Sequence, residues 1–96
     1  MSWHVSIRRA AKTDLRNAHQ WYEKQRAGLG DEFLLSAGRA FARLEDSPDR
    51  VPLYYRQFRR VMFDRFPYKV FFQIEGDAVI VFRIIHVSRD HPSLLD

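Results

Sequence analysis

The residues best suited to take part in chemistry are cations and histidines in the second half of the chain. Four cations could hold a phosphate or carboxylate group: Arg60, Lys69, Arg83 and Arg89. An imidazole, from His86 or His91, could move a proton beside such a group. A lone histidine at a strand end is more often a hydrogen-bonded structural residue, and we favour that interpretation for His86. Together these residues define a candidate site for phosphate chemistry or for binding an acidic partner.

Arg83 lies inside the run Ala78 to Ile85, in which all other residues, at odd and even positions alike, are apolar. A near-continuous apolar run predicts a central strand that is covered on both faces. A buried, unpaired arginine costs several kcal/mol even after relaxation. Arg83 is therefore expected either to pair with a carboxylate such as Glu75 or Asp77, or to lie on an open sheet face that binds a partner. The sequence leaves both possibilities open.

A second basic segment precedes the hairpin. Its arginines could contact phosphates or an acidic partner: Arg56, Arg59, Arg60 and Arg65. The aromatic residues between them are compatible with stacking on bases. Charged residues also protect edge strands from aggregation, and we favour this solvated edge strand as the explanation.

Composition restricts the remaining possibilities. The chain has 96 residues, no cysteine, 46% hydrophobic residues and a net charge of +4, which favours an acidic partner or nucleic acid. The four histidines lack metal-ligand spacing, and neither a nucleophile elbow nor a phosphate-binding glycine loop occurs, so we predict no metal and no cofactor. No apolar run reaches the roughly 20 residues that span a bilayer, and no signal segment is recognisable. We expect one cytoplasmic domain, residues 1–96, with no membrane contact.

The elements that must position these residues follow the order β-α-α-β-β-β. Residue periodicity predicts a strand, two helices, a strand and a hairpin: Trp3 to Ile7, Ala10 to Arg26, Asp31 to Ser47, Phe58 to Phe63, and Phe66 to His86. Gly76 supplies the turn of the hairpin. The predicted fold is α+β, with a two-helix hairpin on one face of a small, twisted, mostly antiparallel sheet.

The helix stripes and the alternation in the strands also predict the core. On the helices the expected core residues are Leu15, Ala18, Tyr22, Leu34, Ala37, Phe41 and Leu44, with Phe33 in the same stripe. On the sheet they are Val70, Phe72, Ile74, Val79 and Val81.

Short segments spread over nearly the whole chain resemble the RelE/ParE superfamily of bacterial toxins from type II toxin–antitoxin systems. None is specific alone, and their order and spacing carry the resemblance. They are Ala11 to Leu15, Gly28 to Phe33, Ser47-Pro48, Arg59-Arg60, Phe66 to Phe72, Glu75 to Asp77, and Ile85 to Asp90. The resemblance implies a toxin that a small cognate antitoxin neutralises by wrapping around it, in a toxin–antitoxin hetero-oligomer.

The superfamily has two modes of attack. RelE-like members cut mRNA in the ribosome, and ParE-like members inhibit DNA gyrase without ribonuclease activity. RNA cleavage by 2′-hydroxyl attack needs a base, an acid and positive charge, for which Arg60, Arg83 and His86 are candidates. The tail, Val87 to Asp96, contains no tyrosine. RelE-like ribonucleases often have a tyrosine or histidine near the C-terminus, so the missing tyrosine departs from their pattern.

We therefore interpret the chain as a ParE-like toxin that binds gyrase. The alternatives are a ribosome-dependent endoribonuclease and a non-toxic basic nucleic-acid-binding module. Expected target contacts are Arg83, His86, Arg89, Leu94 and Leu95. Expected antitoxin contacts are the surplus aromatic residues Trp3, Trp21 and Tyr22, because interfaces are enriched in aromatic side chains.

Overall fold

The computed structural model describes residues 2–89 together with 94 and 95. Its elements are β1 (His4–Ile7), α1 (Arg9–Gln25), α2 (Leu29–Leu44), a 3₁₀ turn (Pro48–Arg50), β2 (Leu53–Tyr55), β3 (Phe58–Met62), β4 (Tyr68–Glu75) and β5 (Ala78–His86). Within the described part of the chain, neither helix has the length and hydrophobicity needed to cross a membrane.

The strands form a five-stranded sheet in the order β1-β5-β4-β3-β2. Only β1 and β5 are parallel, and the helices cover one face, which confirms the predicted α+β fold. The strand β2 was not predicted. It is three residues long and mostly exposed, and it forms by pairing Tyr55 with Phe58 across a two-residue turn. Such a strand has almost no pattern of its own, so its pairing with β3 creates it.

The central hairpin forms as its turn residues predict. Glu75 pairs with Ala78, which leaves Gly76 and Asp77 as the two-residue loop. Gly76 has a φ of 60°, a conformation that glycine adopts without steric cost. The short loop fixes the register of the longest strand pair in the sheet.

A β-bulge in β5 changes which face each later side chain occupies. Phe71 pairs with Arg83 while Phe72 pairs with Val81, so Phe82 is an extra residue. Strict alternation would group Ile85 with Val81 on the helix-covered face. The bulge instead places Ile84 against the helices and Ile85 on the opposite side.

The two helices approach closely at the start of α2. A Cβ atom on Gly30 would lie 2.6 Å from the His19 carbonyl oxygen, so only glycine fits there. The Glu23 carboxylate of α1 accepts the Gly30 amide at 2.8 Å and the Gly28 amide at 3.3 Å. An anionic group at these free amides satisfies the N-terminus of α2 and its dipole.

The main core lies between the helices and the sheet, and most of the predicted core residues belong to it. Leu34 is an exception, because its side chain is 41% exposed. The buried stripe of α2 instead runs through Phe33, Ala37, Ala40 and Leu44. Phe33 is fully buried, and four aromatic rings contact it: Tyr22, Phe63, Phe66 and Tyr68.

The sheet face opposite the helices, called the second face below, carries a smaller cluster. Phe58, Phe71 and Ile85 are buried there. The partly buried residues packed against them are Tyr55, Phe82, Leu94 and Leu95. Both faces of β5 are therefore covered, as its apolar sequence predicts, but the second face receives only a thin layer.

Replacing Phe33 with alanine should lower the free energy of unfolding by about 3–5 kcal/mol, because a fully buried aromatic ring is lost. Phe41→Ala should cost less, since Phe41 is only partly buried. Leu35→Ala is the matched control, because Leu35 is 64% exposed, and it should change stability by less than about 0.5 kcal/mol. Chemical denaturation measures all three, and equal losses for Phe33 and Leu35 would contradict this core.

Candidate functional site

The candidate site begins where β5 loses its neighbour. The parallel ladder between β1 and β5 ends at Ile7 and Val81, and the Arg8 amide donates to the Val81 carbonyl at 3.0 Å before the chain turns into α1. Beyond this point, no strand in the described part of the chain lies beside the β1-side edge of β5. The Asp14 carboxylate of α1 accepts the Ile84 amide at 2.9 Å and so replaces the missing strand.

Asp14 also binds Arg83. The Arg83 Nε donates to one carboxylate oxygen at 2.8 Å and Nη2 donates to the other at 3.0 Å, a bidentate pair. Of the two possibilities left open for Arg83, the structure shows pairing with a carboxylate, and the carboxylate is Asp14 rather than Glu75 or Asp77. These hydrogen bonds to Asp14 raise the pKa of Arg83 above its already high value. Its remaining donor, Nη1, reaches the Leu94 carbonyl at 3.2 Å and ties the tail to β5.

His86 ends β5 beside the tail. The Ser88 amide donates to His86 Nδ1 at 3.1 Å, and the Ser88 Oγ lies 2.8 Å from the same nitrogen. Because a backbone N–H can only donate, Nδ1 is an acceptor and the neutral ring carries its proton on Nε2. The ring also meets Tyr68 edge-on, with centroids 5.2 Å apart. His86 is thus a hydrogen-bonded residue with a fixed tautomer.

Two tyrosines lie behind these residues. Burial, with smaller effects from Tyr22, raises the pKa of Tyr68 to about 12. Burial also raises the pKa of Tyr22, although its hydrogen bond with Tyr68 opposes the shift. Both phenols therefore remain protonated at neutral pH, and neither is suited to accept a proton as a base.

A cleft of about 520 Å³ lies between α1, the end of β5 and the tail. It gathers most of the residues predicted to contact the target: Arg83, His86, Arg89 and Leu94. The expected antitoxin contacts Trp21 and Tyr22 line it as well. Leu95 packs on the second face instead, and His91 lies outside the described residues.

The remaining aromatic candidates differ in exposure. Trp21 is 56% exposed and lies edge-on against Tyr22 at 5.0 Å. Trp3 and Tyr22 are partly buried and pack against the main core. Trp21 is therefore the aromatic candidate that offers a partner most of its side chain.

The arginines of the basic segment around β3 lie in different environments. Arg59 donates to the main-chain carbonyls of Asp49 and Val51, and Arg65 contacts Glu32 at 3.3 Å. Arg56 lies at the β2–β3 turn with a φ of 54°, a left-handed conformation that is strained for arginine. Arg60 lies on the second face, where its guanidinium stacks 3.8 Å from the centre of the Tyr54 ring.

The structure also assembles a group that sequence spacing did not reveal. His19, Glu23 and Asp31 place their ligand atoms within 4.8 Å of one another between α1 and α2. His19 Nε2 lies 3.2 Å from Asp31, and Glu23 accepts the two amides described above. These hydrogen bonds of His19 and Glu23 link α1 to the start of α2.

Asp14 is the main residue that sequence reasoning missed. The available signal was the need of Arg83 for an anion, but the two residues are 69 positions apart. Ser88 was missed as well, although it lies only two residues after His86.

Solved structures of toxin–antitoxin systems share this fold. A structure of the chromosomal ParDE system from P. aeruginosa is 17% identical, with a TM-score of 0.80, and covers 88% of this chain and 96% of its own. A structure of the RelBE2 toxin–antitoxin complex from Mycobacterium tuberculosis is 20% identical, with a TM-score of 0.65, and covers 90% and 99%. Both define the RelE/ParE-like toxin fold.

The sequence places the chain within this class more narrowly. The family described as "ParE toxin of type II toxin-antitoxin system, parDE" matches residues 5–91, and the chain belongs to it. No curated protein matches the chain by sequence. The chain is therefore the toxin component of a type II toxin–antitoxin system.

The pairing of Asp14 with Arg83 should be measurable by a double-mutant cycle of Asp14→Asn, Arg83→Gln and the double variant. Hydrogen bonds between charged groups contribute about 1.5–3 kcal/mol, so the coupling free energy should lie near 1–3 kcal/mol. Urea denaturation of the four proteins gives this value. A coupling free energy near zero would show that the ion pair does not stabilise the fold.

Ionisation of Tyr68 should make stability depend on alkaline pH. Because the folded-state pKa of about 12 exceeds the unfolded value near 10, stability is full below pH 10 and is lost as pH rises towards 12. In Tyr68→Phe the loss over this window should be smaller. Denaturation across that pH range tests this, and identical pH profiles for both proteins would contradict it.

Proposed function

We propose that this toxin arrests growth in the cytoplasm by binding and inhibiting DNA gyrase, and that a cognate antitoxin neutralises it in a hetero-oligomer. The proposal rests on membership of the ParE family together with the state of the cleft residues. The resemblance to ParE-like toxins supplies gyrase as the target. The geometry supplies the argument that this site binds a partner and breaks no bond.

The observation that most directly supports a binding function is the bidentate ion pair between Arg83 and Asp14. A ribonuclease needs positive charge directed at the phosphorane that forms during cleavage. In this chain, both the charge and two donors of Arg83 are directed at a carboxylate on α1, and a third donor holds the tail. The guanidinium thus organises the protein surface around the cleft.

The groups that could transfer protons support the same conclusion. His86 Nδ1 accepts from Ser88, and the pKa of Tyr68 is raised by burial, which opposes its action as a base. A general base at neutral pH works best with a pKa near the operating pH. The cleft therefore presents a fixed surface of mixed polarity, which suits recognition of a protein.

One observation favours RNA cleavage as the second candidate. The cleft brings Arg83, His86 and Arg89 to a single wall beside Tyr68, which is a set of cation and proton-transfer groups. A general acid at His86 would be the imidazolium form, which would donate its proton through Nε2. The assays below separate the two functions.

For the antitoxin, the exposed apolar side chains of the helical hairpin are the proposed contacts. Trp21, Leu34 and Leu35 are all more than two-fifths exposed. An amphipathic segment that folds onto them would bury this apolar surface, and its ordering would occur on binding. Trp3 and Tyr22 would contribute only their exposed edges.

The purified toxin should inhibit supercoiling by gyrase and leave ribosome-bound mRNA intact. Arg89→Ala should weaken inhibition about tenfold if Arg89 contacts gyrase, because a well-placed charged contact contributes roughly 1–2 kcal/mol. Arg16→Ala, which removes an exposed arginine from α1 outside the cleft, is the matched control. Deleting residues 93–96 should also weaken inhibition while circular dichroism shows an intact fold.

Cleavage of mRNA in the ribosomal A site would contradict the proposal. If Arg83→Ala and His86→Ala then lowered cleavage by about 10²–10³ while remaining folded, the chain would be an endoribonuclease. Loss of inhibition by Arg16→Ala to the same extent as by Arg89→Ala would show that overall charge, and not the cleft, governs the effect.

A further inference from the structure

The second face carries two cations that lie diagonally across neighbouring strands. Arg60 of β3 pairs directly with Phe71 of β4, so both side chains share the second face. Lys69 precedes Phe71 by two residues in a regular strand and therefore lies on that face as well. Diagonal neighbours in a sheet are about 7–8 Å apart, within reach of long side chains.

Neither of these two cations has a described counter-ion. Both side chains are only partly exposed, and among residues 2–89 and 94–95 no carboxylate forms a salt bridge with either. Burial and the positive charge of Arg60 lower the pKa of Lys69. Two like charges brought together in this way favour the arrival of an anion between them.

The surroundings of the pair are apolar and partly exposed. Met62 pairs with Lys69 across the strands and is 47% exposed, and Tyr54 on the edge strand β2 is 40% exposed. One side of the Tyr54 ring is covered by the Arg60 guanidinium, and the ring also contacts Phe71. An exposed thioether side chain beside the cations suits a peptide better than a nucleobase.

We propose that Arg60 and Lys69 form a carboxylate-binding site on the second face, and that its occupant is an acidic segment of a partner protein with apolar residues next to its carboxylates. Met62 contacts those apolar residues, and the two cations share the carboxylate. The net charge of +4 complements such a partner. The inference rests on the proposed function only in taking the antitoxin as that partner.

This site lies on the opposite side of the sheet from the helical hairpin. A partner that contacts both Trp21 and the second face must therefore pass around an edge of the sheet. β2 is an edge strand of the sheet, and its Tyr54 stacks against Arg60 on the second face. An extended acidic segment could follow β2 and place one carboxylate between Arg60 and Lys69.

The test uses a short fluorescein-labelled peptide in which glutamate alternates with leucine, and a matched peptide with glutamine in place of glutamate. Fluorescence anisotropy should show binding of the acidic peptide to the full chain and much weaker binding of the glutamine peptide. Arg60→Gln and Lys69→Gln should each weaken acidic-peptide binding roughly tenfold, as expected for loss of one charged hydrogen bond. Arg16→Gln, with the same change in net charge, should leave the affinity unchanged.

A second measurement uses the wild-type chain and needs no variants. The chain has three lysines, Lys12, Lys24 and Lys69, so NMR of ¹³C-methylated lysines can follow each separately. The pKa of Lys69 should rise when the acidic peptide binds, because a carboxylate favours the charged ammonium, while the methyl signals of Lys12 and Lys24 should not move on binding.

Three results would overturn the inference. Equal affinity of wild type and both glutamine variants would remove the site, as would an unchanged Lys69 pKa in the saturated complex. Tighter binding of a single-stranded RNA of equal charge, lost in the same variants, would assign the pair to phosphate. Peptide binding as described together with no gyrase inhibition would retain this site and reject the proposed target.

Discussion

The structure depends on how the backbone amides in the second half of β5 are hydrogen-bonded after β1 ends. A strand buried on both faces cannot leave its amides unpaired, because each buried and unsatisfied group costs about 1–3 kcal/mol. Asp14 meets this need with one carboxylate that accepts the Ile84 amide and both arms of Arg83. The same contact fixes where α1 crosses the sheet, and Arg83 then holds the Leu94 carbonyl. The cleft exists because this one carboxylate replaces a missing strand.

Elements that rest on local sequence could be predicted, and those that rest on distant pairing could not. The hairpin from Tyr68 to His86 follows from its apolar runs and Gly76, and the helices follow from their stripes. In contrast, β2 has three mostly exposed residues and exists through its pairing with β3. The bulge at Phe82 is likewise invisible in the sequence, yet it shifts Ile84 and Ile85 to opposite faces.

The candidate site was predictable in part for the same reason. The cost of burying a charge shows that Arg83 requires an anion, but it does not identify Asp14, which lies 69 residues away. Proximity in sequence pointed to Glu75 and Asp77, which lie at the other end of the hairpin, beside its turn. The assignment of Leu34 to the core failed more simply: Phe33, Ala37 and Leu44 of the predicted stripe are buried, whereas Leu34 lies at the edge of the stripe and is 41% exposed. The width of a stripe defined only by period is not fixed until a sheet lies against it.

The two faces of the sheet use positive charge differently, and this difference bears on how such a chain binds its partners. In the cleft, the Arg83 charge is matched by Asp14. On the second face, Lys69 is partly buried on the strand next to Arg60. Desolvation is a main cost of forming an ion pair at an interface. Because folding has met part of that cost at Lys69, an incoming carboxylate retains more of the electrostatic attraction than it would at a fully hydrated lysine.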